Sequence, residues 1–447
     1  MAMTLPKHLL RFGTNKEQSY FSAFQDCYDG IAINGNIVAH TPGALARFVG
    51  QVTTNKPFVI DPQTHAFQHN PQLLQRDIGE GSSNATPGLK VSISKMSRLF
   101  GEPVSSKAGV EPLVPGDFED TVVSGAFCQR VIDFQTRTLD LASEDEDYKQ
   151  YLKYAKMVAT VPCIVVAPYF YMRSMTLDAW LPVNALMVEE AAKQKPTKPL
   201  YAQVVIGQDV LSREHLCEKL QNTYAKAKCE GVCLWIDDLD EHDGDELLLN
   251  RIGQLGGALI SAGKSVHIVY GGYFSAILTR LGYLSGFCHG LEYGESRAVV
   301  PVGGGLPMAK YYFPPLHRRL RYRDVTSILE AKGWDSANAF HENVCDCETC
   351  REVIAGDIEN FAQFGLSKPV TFTRRGQTVT MNYPLPETQD ICLKHYLRTK
   401  RREIEFLEKS DGKSIIGQLE KAQSDFECRL GDELAFCQTW TTVIKAL

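Results

Sequence analysis

Runs of Val, Ile, Leu and Phe alternate along the chain with stretches whose apolar residues fall at helical spacing. "DGIAINGNIVA" (29–39) reads as strand and turn, and "TPGALARFVGQVT" (41–53) as a helix with a Thr N-cap and a proline at its first position. "KPFVIDPQTHAF" (56–67) begins as a short buried strand that ends on Asp61. A polar, Gly/Ser-rich stretch (76–89) then breaks the rhythm, and a helical and irregular region runs to about 150.

The rhythm resumes with a strand at 157–172 and a helix at 180–194. Strands are expected at 198–207, 231–241, 265–272 and 286–296, with helices at 212–231, 245–264 and 273–285 between them. Apolar strands without polar alternation are those buried on both faces, as in parallel sheets. Repeated βα units with short loops suit a (β/α)8 barrel or an open doubly wound sheet. No Gly-rich dinucleotide or P-loop signature follows any strand. Polar residues instead gather at the ends of several strands: Asp61, Gln208, Asp237, Asp238 and Glu292. Several strands feeding one mouth is the barrel pattern. The reading is therefore an α/β chain, with a (β/α)8 TIM-like barrel over 1–300 and an insertion at about 76–150.

Past 300 the pattern changes. "AKYYFPPLHRRLRYRD" (309–324) is aromatic and basic, "KPVTFTRRGQTVTMNYPLP" (368–386) alternates like a hairpin, and helices are expected at 389–410 and 412–440. Residues 301–447 thus form a separate C-terminal region.

Composition adds little to this picture. Hydrophobic residues at 44% and charged residues at 22% are ordinary for a globular chain, and the net charge of −6 leaves any nucleic-acid contact to local basic patches. No apolar run is long enough to span a bilayer, and the first residues lack an apolar signal core. Thirteen cysteines, most of them single and in apolar surroundings, suggest reduced thiols in a cytoplasmic protein.

The exception is "CDCETC" (345–350), three cysteines in six residues. Cys345, Cys347 and Cys350 can wrap one ion with three thiolates and leave a tetrahedral corner open. His395, on an expected helix, is the preferred fourth ligand, with His341 and Cys392 as competitors. No general base adjoins the cluster, so a Zn2+ there would be structural and would hold the C-terminal helices.

A C-x-C-x-x-C run followed by a helical histidine, placed after a βα barrel, resembles the tRNA-guanine transglycosylase family. The second strand of that family ends in Asp-Ser-Gly-Gly-Phe-Gln, to which "IDPQTHAFQ" (60–68) is similar with a loop two residues longer. "APYFYM" (167–172) looks like its Thr-Pro-Tyr strand, without the preceding aspartate, and "VVIGQD" (204–209) like its Val-Gln-Gly-Gly strand with Gln208 shifted. The family's nucleophile strand is replaced by "GFCHGLEYGESR" (286–297), where Leu291 stands at the nucleophile position. These departures make the chain most similar to the divergent branch that inserts 7-deazaguanine bases into DNA.

That resemblance implies exchange of a guanine in DNA for 7-cyano-7-deazaguanine through a covalent carboxylate–sugar intermediate. It gives Asp61 the acid/base role and Phe67 the stacking role, with Gln68 and Gln208 as substrate contacts. Two carboxylates with different environments are needed, as in glycoside chemistry. Asp238 is the preferred nucleophile, with Asp237 beside it. Alternation allows at most one of the two to face the barrel axis. Glu292, flanked by His289 and Tyr293, is the second choice. Nucleic-acid contacts are expected from Arg318, Arg319, Arg321, Arg323, Arg401 and Arg402, where arginines neighbour Tyr322 and Tyr396. The alternative substrate is tRNA. A further alternative is a catalytically silent, zinc-containing barrel that binds nucleic acid. Dimerisation through the zinc segment and partner proteins of a DNA-modification system are carried as expectations of the resemblance.

Overall fold

The computed structural model describes residues 5–52, 56–76, 88–142, 161–292, 294–300, 309–374, 377–430 and 434–447. The chain forms two compact units, one of residues 1–290, 294–302 and 447, the other of 291–293 and 303–446.

The first unit is a nearly closed parallel barrel with eight strand positions. Its strands are β1 (His8–Phe12), β2 (Gly30–Asn34), β3 (Phe58–Asp61), β4 (Val165–Val166), β5 (Tyr171–Met172), β6 (Leu200–Ile206), β7 (Gly231–Ile236), β8 (Ser265–Ile268) and β9 (Gly286–Gly290). The ladder runs β3-β2-β1-β9-β8-β7-β6-β4, with β5 also on β6. β4 and β5 are two short pieces of one interrupted position, and the gap to β3 is bridged where Cys163 N–H donates to Phe58 O at 2.8 Å. Every residue of β6 and β7 is buried, which explains why their sequences are apolar apart from Gln203.

Alternation sends one set of side chains inward. Leu9, Ala32, Val59, Val205, Cys233, Trp235, Val269 and Cys288 belong to one interior cluster. Their neighbours in sequence point to the surrounding helices: Phe12 stacks on Phe48 at 4.8 Å and meets Phe21 edge-on at 5.5 Å. The insertion after β3 contains the helices Val91–Phe100, Val104–Lys107 and Thr121–Ala142.

The hydrophobic pattern does not predict β1, although it lies between β2 and β9 in the sheet. The expected strand at 157–172 is β4 and β5 with Ala167–Phe170 between them, and 157–160 lie outside the described residues. The strand expected over 231–241 ends at Ile236.

The second unit has a small antiparallel pair, Tyr311–Phe313 with Arg318–Leu320, and a two-stranded hairpin, Ser367–Arg374 with Gln377–Pro384. The long helix Pro386–Lys409 buries His395, Tyr396, Leu397, Lys400 and Glu403. The helix expected over 412–440 is two, Gly412–Leu430 and Ala435–Ala446. Around Tyr311 the core is aromatic, with Phe361 and Phe364 edge-on at 5.1 and 5.0 Å.

Candidate active site and metal centre

The C-terminal ends of the barrel strands bring a buried polar group together. Asp61 closes β3 and is 4% exposed. Its Oδ1 accepts the Tyr169 hydroxyl at 2.5 Å and the Gln63 N–H at 3.1 Å. Its Oδ2 lies 3.4 Å from Arg11 Nη1 of β1. Arg11 also donates to Asn34 Oδ1 at 2.6 Å and to Val269 O at 3.4 Å, and its guanidinium lies 4.4 Å from the centre of the Tyr270 ring. Burial opposes the charge on Arg11, but Tyr270, Cys288 and Asp61 around it hold the guanidinium above its ordinary value.

Burial and the charge of Asp61 push the Tyr169 hydroxyl well above its ordinary value, so it stays a donor. His65 Nδ1 lies 3.0 Å from the same hydroxyl, and its ring stacks on Tyr169 at 5.2 Å. Burial first, then His69 and Arg297, push His65 well below its ordinary value. A neutral His65 donating from Nδ1 completes a line of hydrogen bonds, His65 to Tyr169 to Asp61.

A second carboxylate stands at the end of β7. Asp237 Oδ2 accepts the Tyr171 hydroxyl at 2.5 Å, and its Oδ1 accepts the Val299 N–H at 2.7 Å. Tyr171 and Val299 both belong to the interior cluster, so Asp237 is the inward member of the Asp237/Asp238 pair. Burial and Asp237 raise the Tyr171 hydroxyl above its ordinary value.

Other expected residues lie elsewhere. Asp238, the residue expected as nucleophile, is exposed and has left the strand with a left-handed φ of 51°, so of the two neighbours it is Asp237 that faces the interior. His289 is fully buried but alternates outward from Cys288; its Nε2 lies 2.8 Å from Nε2 of His8 on the helix-facing side of the sheet. Gln208 is exposed and clamps the rim, donating to Asp237 O at 3.0 Å and Asp238 O at 3.2 Å. Gln68 grips the Tyr171 backbone from both sides, at 2.9 and 2.7 Å. Phe67 is 2% exposed and packs edge-on against Phe100, which leaves it no face for a stacked base. Glu292 falls in the second unit, and Tyr293 lies outside the described residues.

Most of the expected nucleic-acid arginines have internal partners. Arg319 donates to Leu291 O at 2.5 Å and to Glu292 O at 3.4 Å and lies 3.7 Å over the Tyr396 ring. Arg323 pairs with Asp324 at 3.5 Å, Arg401 with Glu405 at 2.9 Å and Arg402 with Asp346 at 2.5 Å. Arg318 is half-buried, and Arg321 is exposed at the start of the helix Tyr322–Lys332.

The cysteine cluster forms the second site. Cys345, Cys347, Cys350 and His395 are buried, and their ligand atoms lie within 4.8 Å of one another. His395 Nδ1 is 3.8, 3.3 and 3.3 Å from the three sulfurs in that order. A tetrahedral zinc, with bonds of about 2.3 Å to sulfur and about 2.0 Å to nitrogen, sets such pairs about 3.6 Å apart. Backbone N–H groups of Cys347 and Cys350 point at the sulfurs of Cys345 and Cys347, each at 3.4 Å. His395 Nε2 donates to Tyr312 O at 2.6 Å, which leaves Nδ1 for an ion, and Tyr311 stacks on the imidazole at 4.2 Å. Hydrogen bonds from Cys345 and Cys350 push Cys347 below the ordinary thiol range. The donor set suits a tetrahedral metal such as zinc. His341 instead binds Cys345 O at 2.9 Å, and Cys392 lies against Phe364 O at 3.8 Å.

Arg11, His65, Tyr169, Tyr171 and Tyr270 carry the mouth and are missing from the sequence-derived site. His65 and Tyr169 stand inside the very motifs that drew attention, while Arg11 lies in the unassigned β1. Neither a protein-family model, nor a curated protein, nor a solved structure matches the chain.

Proposed function

We propose that the barrel exchanges a guanine in DNA for a 7-deazaguanine base, with Asp61 and Asp237 as the working carboxylates. The observation that carries the reading is the presence of two carboxylates at strand ends of the same barrel, each gripped by a tyrosine hydroxyl at 2.5 Å. One carboxylate attacks the anomeric carbon as the guanine leaves, and the other supplies the proton that the leaving base takes. The incoming base then gives up a proton, attacks the same carbon and releases the carboxylate. Two displacements retain configuration.

Asp61 keeps the proton-transfer role, because the Tyr169–His65 line gives its proton a route. Asp237 then serves as nucleophile. Zinc at Cys345, Cys347, Cys350 and His395 is structural in this reading, since the donor set is complete without water. Resemblance to the transglycosylases supplies the substrate class. A TIM-type barrel supplies the frame, with its chemistry at the C-terminal ends of the strands.

A second reading has its own support. Every carboxylate oxygen of Asp61 and Asp237 already accepts a hydrogen bond or an ion pair, as in a barrel that binds nucleic acid without chemistry. An exchange assay decides between them. The protein is given labelled guanine-containing DNA or tRNA with 7-cyano-7-deazaguanine, and base release and covalent adducts on a denaturing gel are measured. Release from DNA that is lost in Asp61→Asn and Asp237→Asn is expected. Release from tRNA alone would move the substrate. No release from either, with binding retained, would establish the silent barrel.

A further inference from the structure

Two hollows of about 390 Å³ each adjoin at the rim of the barrel unit and share Arg76 and Val91 in their walls. Thr14 after β1, and Asn36 and Thr41 after β2, form one side of the first hollow. The insertion supplies the other side and four cations, Arg76, Lys90, Lys95 and Arg98.

These cations are held differently from those of the second unit. Arg76 donates to Leu89 O at 3.1 Å, Lys90 to Leu73 O at 2.8 Å, Lys95 to His40 O at 3.2 Å and Arg98 to Ser94 O at 3.3 Å. Among the described residues none of the four is ion-paired with a carboxylate, whereas Arg323, Arg401 and Arg402 each are. A backbone carbonyl fixes a cation in place without neutralising it. Four like charges around shared walls repel one another, and an anion in the hollows removes that repulsion. Thr41 is among the residues around the first hollow, and its buried hydroxyl lacks a hydrogen-bond partner. The helix Val91–Phe100 also begins there, with no side chain capping its first N–H groups.

We propose that the paired hollows bind phosphate esters. Guanidinium and ammonium groups lining adjoining hollows match the oxygens of a phosphate, and two hollows with a common wall suit consecutive phosphodiesters better than a lone ion. The rim also connects to the mouth. Asn36 N–H donates to Gln63 Oε1 at 2.9 Å, and Gln63 N–H donates to Asp61 Oδ1 at 3.1 Å. A backbone seated on Asn36 therefore lies one residue's contact from the group that holds Asp61. That the phosphates come from nucleic acid rests on the base-exchange reading; the phosphate chemistry of the hollows does not.

The test uses the full chain, a fluorescein-labelled single-stranded oligonucleotide containing guanine, and fluorescence anisotropy between 50 and 200 mM salt. The variant replaces Arg76, Lys90, Lys95 and Arg98 with serine, with circular dichroism as a check on its fold and Lys90→Ser and Lys95→Ser as milder single changes. With a slope of about −0.7 per phosphate on single strands, loss of roughly three contacts lowers the salt slope by about 2 and weakens binding about a hundredfold near 0.1 M salt. The single changes give smaller losses in the same direction. Asp61→Asn retains binding while exchange is lost. Wild-type affinity and slope in the fourfold variant would overturn the proposal and leave base exchange standing. A second arm measures the thermal shift with inorganic pyrophosphate. If wild type ignores the oligonucleotide, and DNA and tRNA in the same assay, but is stabilised by pyrophosphate, and the variant is not, the hollows take a free phosphate group and the base-exchange reading falls instead. No shift and no oligonucleotide binding sinks the proposal.

Discussion

Replacing Arg11 with methionine isolates the charge on Asp61. Among the described residues Arg11 is the cation paired with that carboxylate, at 3.4 Å, and both side chains are about 95% buried, being 4% and 5% exposed. Methionine preserves most of the stem volume but leaves Asp61 with only the Tyr169 hydroxyl and the Gln63 N–H. It also strands the Asn34 carbonyl, which accepts Arg11 at 2.6 Å. Removing one partner of a buried pair costs about 3–5 kcal/mol, because the remaining charge is uncompensated. The unit concerned spans 300 residues. At about 2.1 cal/mol/K per residue, that cost lowers its melting temperature by roughly 5–8 °C. The assay is differential scanning calorimetry of wild type, Arg11→Met, Asp61→Asn and the double variant at constant pH. The double variant should recover a substantial part of the loss, since no charge is left to strand, with a coupling of about 1–3 kcal/mol. Arg11 is held above its already high ordinary value, so its contribution is fully present throughout pH 6–9 and the deficit should not vary there. A shift below roughly 2 °C for Arg11→Met, or a double variant as unstable as the sum of the singles, would refute the idea that this pair is energetically coupled.

Acid should destabilise the barrel before carboxylates titrate. Burial pushes His267 down to about 4, below an unfolded value of about 6.5, so stability present above pH 6.5 is lost as pH falls toward 4. The loss is about 3 kcal/mol, and urea titrations of His267→Gln against wild type across that range should show a flatter profile in the variant. Metal analysis should find close to one zinc per chain, lost in Cys347→Ser and His395→Ala, with the second unit melting earlier after chelation while barrel signals stay in place. Gly35→Ala places a Cβ 2.7 Å from Asp61 O, so that backbone must shift; activity should fall more steeply than stability, read as turnover against melting temperature. Tyr171→Phe leaves Asp237 without its 2.5 Å donor and should lower turnover by about tenfold or more, while Gln208→Ala on the exposed rim lowers it less, which a side-by-side turnover assay reads.

The barrel is legible in the sequence wherever strands are buried on both faces, because Gln203 alone interrupts the apolar runs of β6 and β7. β1 escapes because "HLLRF" carries two charged or titratable residues in five. Both are buried, but only tertiary partners such as Asn34 and Asp61 reveal that. Period-two alternation shows that one of Asp237 and Asp238 faces inward. Which one depends on register, fixed by Ile206 opposite Ile236, and pairing between distant strands has no local signal. The same blindness affects His289, whose side of the sheet is set by its neighbours. Cys345, Cys347 and Cys350 announce themselves by spacing, since thiolate geometry is a local constraint. For the arginines the opposite holds, since their charge is visible in the sequence but a partner need not be: Asp346, which pairs with Arg402, is 56 residues away.

The break between β4 and β5 has a consequence for how the mouth opens. Among the described residues no neighbouring strand satisfies the backbone of Tyr169 and Phe170. Thr64 Oγ1 accepts the Tyr169 N–H at 2.8 Å and donates to its carbonyl at 2.6 Å, while Asn184 does the same for Phe170 at 2.8 and 2.9 Å. In hydrogen-exchange terms, the ladder amides open together with the sheet, but these two open when a side chain turns. The tyrosine that holds Asp61 is therefore hinged separately from the wall around it, and its amide clock runs on the rotamer of one threonine.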